Sequence, residues 1–365
     1  MSKIINIGTA VPAYKHRQND ILYFMQRVYA ANTADQRKMK FLYHQSDIQK
    51  RYSVIADYSK PVEDWKFYPQ SENLEPFPSL EQRMALYNKY AAPLSVDAIR
   101  NCIAGKIPTD QITHLITVSC TGMSAPGLDL QIVDLLDLPA TTFRTSVNFM
   151  GCYAAIHALK IADAFCKNDP TAKVLVVCTE LCTLHFQKEA TVDNITSSML
   201  FADGSAAALV THSNNALTGF DIENFYAEII PRGKRDMAWE LSSSGFQMTL
   251  SGYIPDLIEE DFDQLVHKAL QSCAVHKNDI TDWCIHPGGK RILEAVSNSL
   301  QIDSNNLSHS YHVLENFGNM SSPTILFVLK EMMKNNFSKT NRKIFGAAFG
   351  PGLTMETFVV GKMIG

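Results

Sequence analysis

Residues 112–119, ITHLITVS, open the stretch that decides the fold. They are rich in β-branched and aliphatic residues, the composition of a buried strand. Residues 128–138, LDLQIVDLLDL, set Leu128, Ile132, Leu135 and Leu136 near one face of a helix. A short strand at 142–147, a helix from about 153 to 165, and the apolar run Lys173-Val174-Leu175-Val176-Val177 continue the pattern. Strands alternating with helices predict βαβ crossovers and a mainly parallel sheet.

Working outward, residues 206–210 read as a further strand, and the polar stretch Thr211-His212-Ser213-Asn214-Asn215-Ala216-Leu217 is the clearest break in composition. It divides the chain into an N-terminal half, 1–213, and a C-terminal half, 214–365. Residues 220–230 alternate in places. Residues 255–275 read as a long helix, with Leu257, Phe262, Leu265, Val266, Ala269 and Leu270 at helical spacing. A strand at 282–285, helices at 290–300 and 322–333, and a strand pair at 343–349 and 353–361 follow, the last two joined through Gly350-Pro351-Gly352. The second half thus repeats the α/β theme of the first. Such a duplication places a site where the two halves' helices meet.

The chain has 365 residues, 46% hydrophobic and 19% charged, enough to bury a core in two packed lobes. Thirty-three Lys and Arg against 37 Asp and Glu give a net charge of −4, which argues against a partner recognised by phosphate neutralisation; no nucleic acid is expected. No apolar run approaches the roughly 20 residues of a membrane span. Ile4-Ile5-Asn6-Ile7 after Met1 is too short for a signal-peptide core. These features predict a soluble, cytoplasmic protein. Its eight cysteines include no CxxC pair, so neither a disulfide scaffold nor a paired-ligand zinc site is expected.

The sharpest local feature is Asn148-Phe149-Met150-Gly151-Cys152-Tyr153-Ala154-Ala155. A strand ends, a glycine turns, and a cysteine opens a helix rich in alanine. A thiol there faces unpaired N–H groups and the positive end of the helix dipole, which favour thiolate and can bring a cysteine pKa to between about 3.5 and 7.5. The plain alternative is a small buried hydrophobe. Two further stretches share the strand–turn–helix setting. Ile285-His286-Pro287-Gly288-Gly289 holds a histidine just past a strand, and Asn316-Phe317-Gly318-Asn319-Met320-Ser321-Ser322 delivers an asparagine to the start of a helix. Taken singly, the first is a core histidine and the second a helix cap. Together, Cys152, His286 and Asn319 make a nucleophile, a group that sustains its thiolate, and an amide that stabilises an oxyanion. A papain-like protease uses the same residue types, but its signature around the cysteine is absent and the α/β pattern does not suit it.

At these stretches the chain resembles the type III polyketide synthases, the chalcone-synthase-like branch of the thiolase superfamily. GCYA at Cys152, IHPGG at His286, GNMSS at Asn319 and FGPGLTMET near the C-terminus carry the resemblance, which runs from Gly8-Thr9-Ala10-Val11-Pro12 to the last strand. It implies a homodimer of five-layered αβαβα, thiolase-like subunits with two pseudo-duplicated halves. It implies that Cys152 takes an acyl starter from coenzyme A. His286 and Asn319 would stabilise the charge formed as malonyl-CoA loses CO2, and the acetyl-CoA carbanion would attack the Cys152 thioester in repeated cycles. The product would be a pyrone or a phenolic, resorcinol-type ring. No metal, flavin or nicotinamide is implied; the CoA thioesters are substrates.

The resemblance also implies that Phe201 is a gatekeeper between CoA tunnel and cavity, with Met248 where plant relatives carry a second gatekeeper phenylalanine. Cys182 and His185 stand where chalcone synthase has cavity threonines. Ser321 keeps the family's serine beside Asn319. Ala125, before Pro126, replaces a methionine that reaches across the dimer interface. Lys38 matches a lysine that meets CoA phosphate, while two other basic positions are Phe41 and Gln45 here. Lys290 and Arg291 are placed to compensate. The softer Met248 gate favours an aliphatic or malonyl starter over a coumaroyl one. The alternatives are a single-round β-ketoacyl synthase III-like enzyme with a carrier-bound extender, and a catalytically silent thiolase-fold partner subunit.

Overall fold

The computed structural model describes residues 1–71, 73–334 and 341–362. Its strands are β1 (Ser2–Ala10), β2 (Tyr14–Arg17), β3 (Lys50–Ser53), β4 (His114–Ser119), β5 (Phe143–Asn148), β6 (Lys173–Leu181), β7 (Asp203–His212), β8 (Phe220–Ile229), β9 (Met237–Ser242), β10 (Gly245–Leu250), β11 (Asp282–Ile285), β12 (Arg342–Gly350) and β13 (Thr354–Lys362). The helices are α1 (Gln18–Tyr29), α2 (Thr33–Gln45), α3 (Leu80–Ile103), α4 (Leu128–Leu136), α5 (Ala154–Asn168), α6 (Val192–Leu200), α7 (Ile254–Gln271), α8 (Lys290–Leu300), α9 (Ser308–Phe317) and α10 (Pro323–Lys334).

Among the described residues, nine strands join in the order β11-β12-β13-β8-β1-β7-β6-β4-β5. The N-terminal and C-terminal parts of this sheet meet only where Ser2, Lys3 and Ile4 of β1 pair with Ile222, Asp221 and Phe220 of β8. Strand alternation then builds the layers. On β6, Val174, Val176 and Cys178 face a middle core that contains α5 and α10, while Leu175 and Val177 face an outer core with α1 and α3. On the other half, Ile344 and Ala348 of β12 face that same middle core, and Phe345 and Ala347 face α7 and α8. The result is helix, sheet, helix, sheet, helix: the five-layered αβαβα arrangement.

The expectation of a mainly parallel sheet fails. Among the described residues, only the β4–β5, β4–β6 and β11–β12 neighbours are parallel; the other five pairs are antiparallel. Helical crossovers join β4 through α4 to β5 and through α5 to β6, which yields parallel strands. A tight turn at Gly350-Pro351-Gly352 joins β12 to β13, and so short a link permits only an antiparallel pair. The helix expected over 255–275 stops at Gln271, and the chain then turns through Ala274 at φ 54°.

Candidate active site

The two buried helices of the middle layer aim their N-termini at one cavity of about 480 Å3. Cys152 stands just ahead of α5, and Asn319 and Ser321 just ahead of α10. Both ends present unpaired N–H groups and positive potential to the same space.

The nucleophile turn is built by backbone geometry. After β5, Phe149 (φ 57°) and Gly151 (φ 74°) both take left-handed conformations, and a 3-10 turn, Gly151–Tyr153, leads into α5. A Cβ on Gly151 would stand 2.2 Å from Pro351 Cδ, so only glycine lets this turn pack on the Gly350-Pro351-Gly352 turn. The N–H of Gly151 donates to Cys120 Sγ at 3.2 Å, and the Cys152 thiol donates to Ser321 Oγ at 3.5 Å.

His286 follows β11 directly, and its N–H donates to Ala347 O at 2.9 Å, extending the β11–β12 ladder. Its ring is 2% exposed, and neither Nδ1 nor Nε2 has a hydrogen-bond partner. Buried polar atoms without partners are rare, and this pair faces a cavity. Asn319 is held by its backbone: its N–H donates to Leu200 O, and its carbonyl accepts from Ala202 N–H, both at 2.9 Å. Its Nδ2 donates to Gly288 O at 3.2 Å and its Oδ1 accepts from Ser321 N–H at 2.8 Å. Asn319 thus ties the histidine turn to the head of α10.

Burial reverses the thiolate expectation for the resting site. It pushes the Cys152 thiol up to about 11, against hydrogen bonds from Ser321 and Asn319 that pull it down, and Glu180 opposes its ionisation further. Burial likewise pushes His286 down to about 3. With these shifts, each group is neutral when the other is neutral.

The same cavity is lined by Cys182, His185, Phe201, Met248 and Lys38, with Lys290 and Arg291 beside Lys38 on its rim. Phe201 ends α6, and its carbonyl accepts from Arg51 Nη1. Met248 lies on β10 opposite Trp239. His185 has no free nitrogen: its Nε2 donates to Thr121 O at 2.7 Å, and its Nδ1 accepts from Phe246 N–H at 3.1 Å. Its ring stacks on Phe246 at 4.2 Å, and burial lowers its pKa to about 3. It therefore latches the β9–β10 hairpin over the cavity and offers substrate only a ring face. Lys290 is bound to Asp47 at 2.8 Å, whereas Lys38 is exposed. Ala125 is exposed on the loop after β4 and lies outside the lining of this cavity.

Three residues escaped the sequence reading. Trp239 lines the cavity and donates from Nε1 to Cys120 O at 2.7 Å. Arg51 is 3% exposed and braces Phe201 and Gln18. Glu180 lies wholly buried behind Cys120. Only Glu180 left a signal: an acid inside the apolar run KVLVVCTEL is costly unless partnered. Among the described residues, no three His, Cys, Asp or Glu side chains stand together as a metal set, and no helix is long and apolar enough to cross a membrane.

Layering and site geometry define the class as the thiolase fold. Comparison with known proteins narrows it. Residues 1–214 match the model for chalcone and stilbene synthases, N-terminal domain, and residues 221–364 match the corresponding C-terminal domain. A probable polyketide synthase 1 of Dictyostelium discoideum is 31% identical over 97% of this chain, which spans only 11% of that relative's length. A putative chalcone synthase of Bacillus subtilis (strain 168) is 29% identical over 98% of this chain and 97% of its own. Among solved structures, PKS-I from the brown alga Ectocarpus siliculosus superposes with a TM-score of 0.92 at 25% identity, covering 99% of this chain and 98% of that one. The C-terminal type III polyketide synthase domain of Steely1, a type I/III hybrid from Dictyostelium, gives 0.89 at 29% identity over 100% and 99%. The chain belongs to the chalcone and stilbene synthase family, the type III polyketide synthases.

Proposed function

We propose that this chain condenses malonyl-CoA iteratively onto an acyl starter held as a thioester on Cys152, then closes the product to a pyrone or a phenolic, resorcinol-type ring. The observation that carries the reading is the convergence of Cys152, His286, Asn319 and Ser321 on one cavity whose rim bears Lys38 and Arg291. In this reading, Cys152 passes its proton to His286, the opposite charges stabilise each other until the thiolate attacks the starter thioester, and coenzyme A leaves as the thiol with that proton. The N–H of the neutral His286 and the Asn319 amide next stabilise the enolate oxygen formed when malonyl-CoA loses CO2. Decarboxylation supplies the carbanion, so the reading calls for no metal, flavin or nicotinamide. Lys38 would meet phosphate of the CoA carrier.

Purified protein given acetyl-, malonyl- and longer acyl-CoA starters with malonyl-CoA should release CO2 and form polyketides, read by product mass spectrometry. Cys152→Ala should lose the acyl adduct and about a thousandfold or more of the product rate. Intact product formation by that variant would sink the proposal.

The reading further makes the enzyme a cytoplasmic homodimer. Edge strand β5 supports the dimer: it ends the sheet beside Cys152, and its Phe143 is 70% exposed. An open edge with an exposed aromatic invites a second copy. Light scattering should give twice the chain mass, and Phe143→Glu should shift the protein towards monomer; a monomeric wild type would count against it.

A further inference from the structure

A carboxylate that none of these steps uses stands behind the nucleophile. Glu180, near the end of β6, is 0% exposed. Its Oε2 accepts from the N–H of Cys120 at 2.9 Å and from the Thr121 hydroxyl at 2.7 Å, and its Oε1 accepts from the Ser322 hydroxyl at 2.9 Å. The Ser119 hydroxyl stands 3.5 Å from Oε2. These donors are all neutral.

Two of them lead directly to Cys152. Cys120 Sγ accepts the N–H of Gly151, the residue before the nucleophile. Ser322 follows Ser321, whose Oγ receives the Cys152 thiol. Glu180 therefore joins the end of β4, the nucleophile turn and the head of α10. The titratable groups that feel its charge are Cys120 at the end of β4, Cys152 in its turn, Cys178 and Cys182 on and after β6, and Tyr87 on α3; a negative Glu180 opposes ionisation of each. Burial pushes the carboxyl itself up to about 7, although its hydrogen bonds favour the charged form, so its proton is exchangeable near neutrality. Two neighbouring negative charges without water are far costlier than one.

We propose that Glu180 is a positioning residue whose negative charge, held behind Cys152 by neutral donors on the end of β4 and the head of α10, opposes ionisation of the thiol, so that Glu180 sets the acidity of the nucleophile. The inference rests on Cys152 as the nucleophile. It adds a role for a group placed behind it.

The test uses the full chain and Glu180→Gln, which keeps the shape and is always neutral. Carbamidomethylation of Cys152 by iodoacetamide is followed against pH by peptide mass spectrometry, which separates it from the other cysteines. In the variant the midpoint should fall by about one pH unit, giving about tenfold faster alkylation at pH values above the titration of Glu180 and below both midpoints. Coincident profiles, or an upward shift, overturn the proposal. Should the variant not fold, the wild type answers the question through its own alkylation profile. The rate should climb less than about tenfold per pH unit across the range in which Glu180 loses its proton, and an unbroken tenfold climb overturns the proposal. Both readouts follow Cys152 and not product, so a normal shift without polyketide would count against the proposed function alone.

Discussion

At the scale of single residues, Cys152 and His286 illustrate how a buried site withholds charge until it is needed. Each is neutral alone because desolvation opposes its charged form. Moving the proton from one to the other creates opposite charges in a low-dielectric space, where their attraction is strong. In the proposed function, selectivity among starters falls to the residues around them. Met248 is a flexible thioether on β10, opposite Trp239. Met248→Phe stiffens and fills that wall, so rates with bulky starters should fall by about tenfold relative to acetyl-CoA, as a modest steric change in an apolar pocket does. Competition assays with paired starters, read by product mass spectrometry, check this; an unchanged ratio would mean that Met248 does not touch the starter's path.

At the scale of elements, the site depends on turns packed against turns. Gly151 sits at φ 74° with Pro351 where a side chain would go, so the loop bearing the nucleophile and the β12–β13 turn are one unit. Gly151→Ala should therefore cost about 2 kcal/mol or more, from left-handed strain and the clash together. Thermal or denaturant melting measures that cost, and a stability equal to wild type would show that the turn has another way to pack. The β9–β10 hairpin depends likewise on His185, Gln187 and Trp239, which bond to Phe246 N–H and O, Ser244 O and Cys120 O. A histidine read from the sequence as part of the substrate cavity proves to hold up its roof. The long helix α3 opens on a capping box between Ser79 and Gln82 and runs on through Pro93; the sequence reading did not pick it out.

At the scale of the whole molecule, buried ionisable groups set the response to pH. His16, His185 and His286 are buried with pKa values lowered to about 4, 3 and 3. Between pH 4.5 and 6 the unfolded chain binds their three protons and the folded chain does not. Glu180 and Asp203 act the other way, with values raised to about 7 and 6, so the folded chain keeps two protons that the unfolded chain releases. His114 and His309 are lowered as well, and Asp221 is raised, so the lowered histidines outnumber the raised carboxyls and stability should rise with pH in this window. Glu180→Gln removes one opposing proton and should steepen the slope. Urea melts at several pH values measure both slopes, and a flat or falling wild-type profile would contradict the balance.

The sequence by itself determined several of the strands and helices that carry the site, because buried β-branched runs and helical periodicity are local signals: the strand read at 282–285 is β11, and the helix read at 290–300 is α8. By contrast, α1, α2, α6, α9 and the β9–β10 hairpin were not picked out. It also singled out Cys152, His286 and Asn319, because each lies in a short motif at a strand–turn–helix junction. Tertiary structure alone decided strand direction, since that follows from which ends a connection can reach. It alone assigned His185 to a latch, and it alone set Glu180, Trp239 and Arg51 beside Cys152 and Phe201. Those assignments rest on contacts between residues as far apart as Glu180 and Ser322, or Cys120 and Trp239. The charge of Cys152 belongs to the same category. A helix terminus visible in the sequence favours thiolate, but desolvation, which only the packed structure imposes, pushes the thiol the other way.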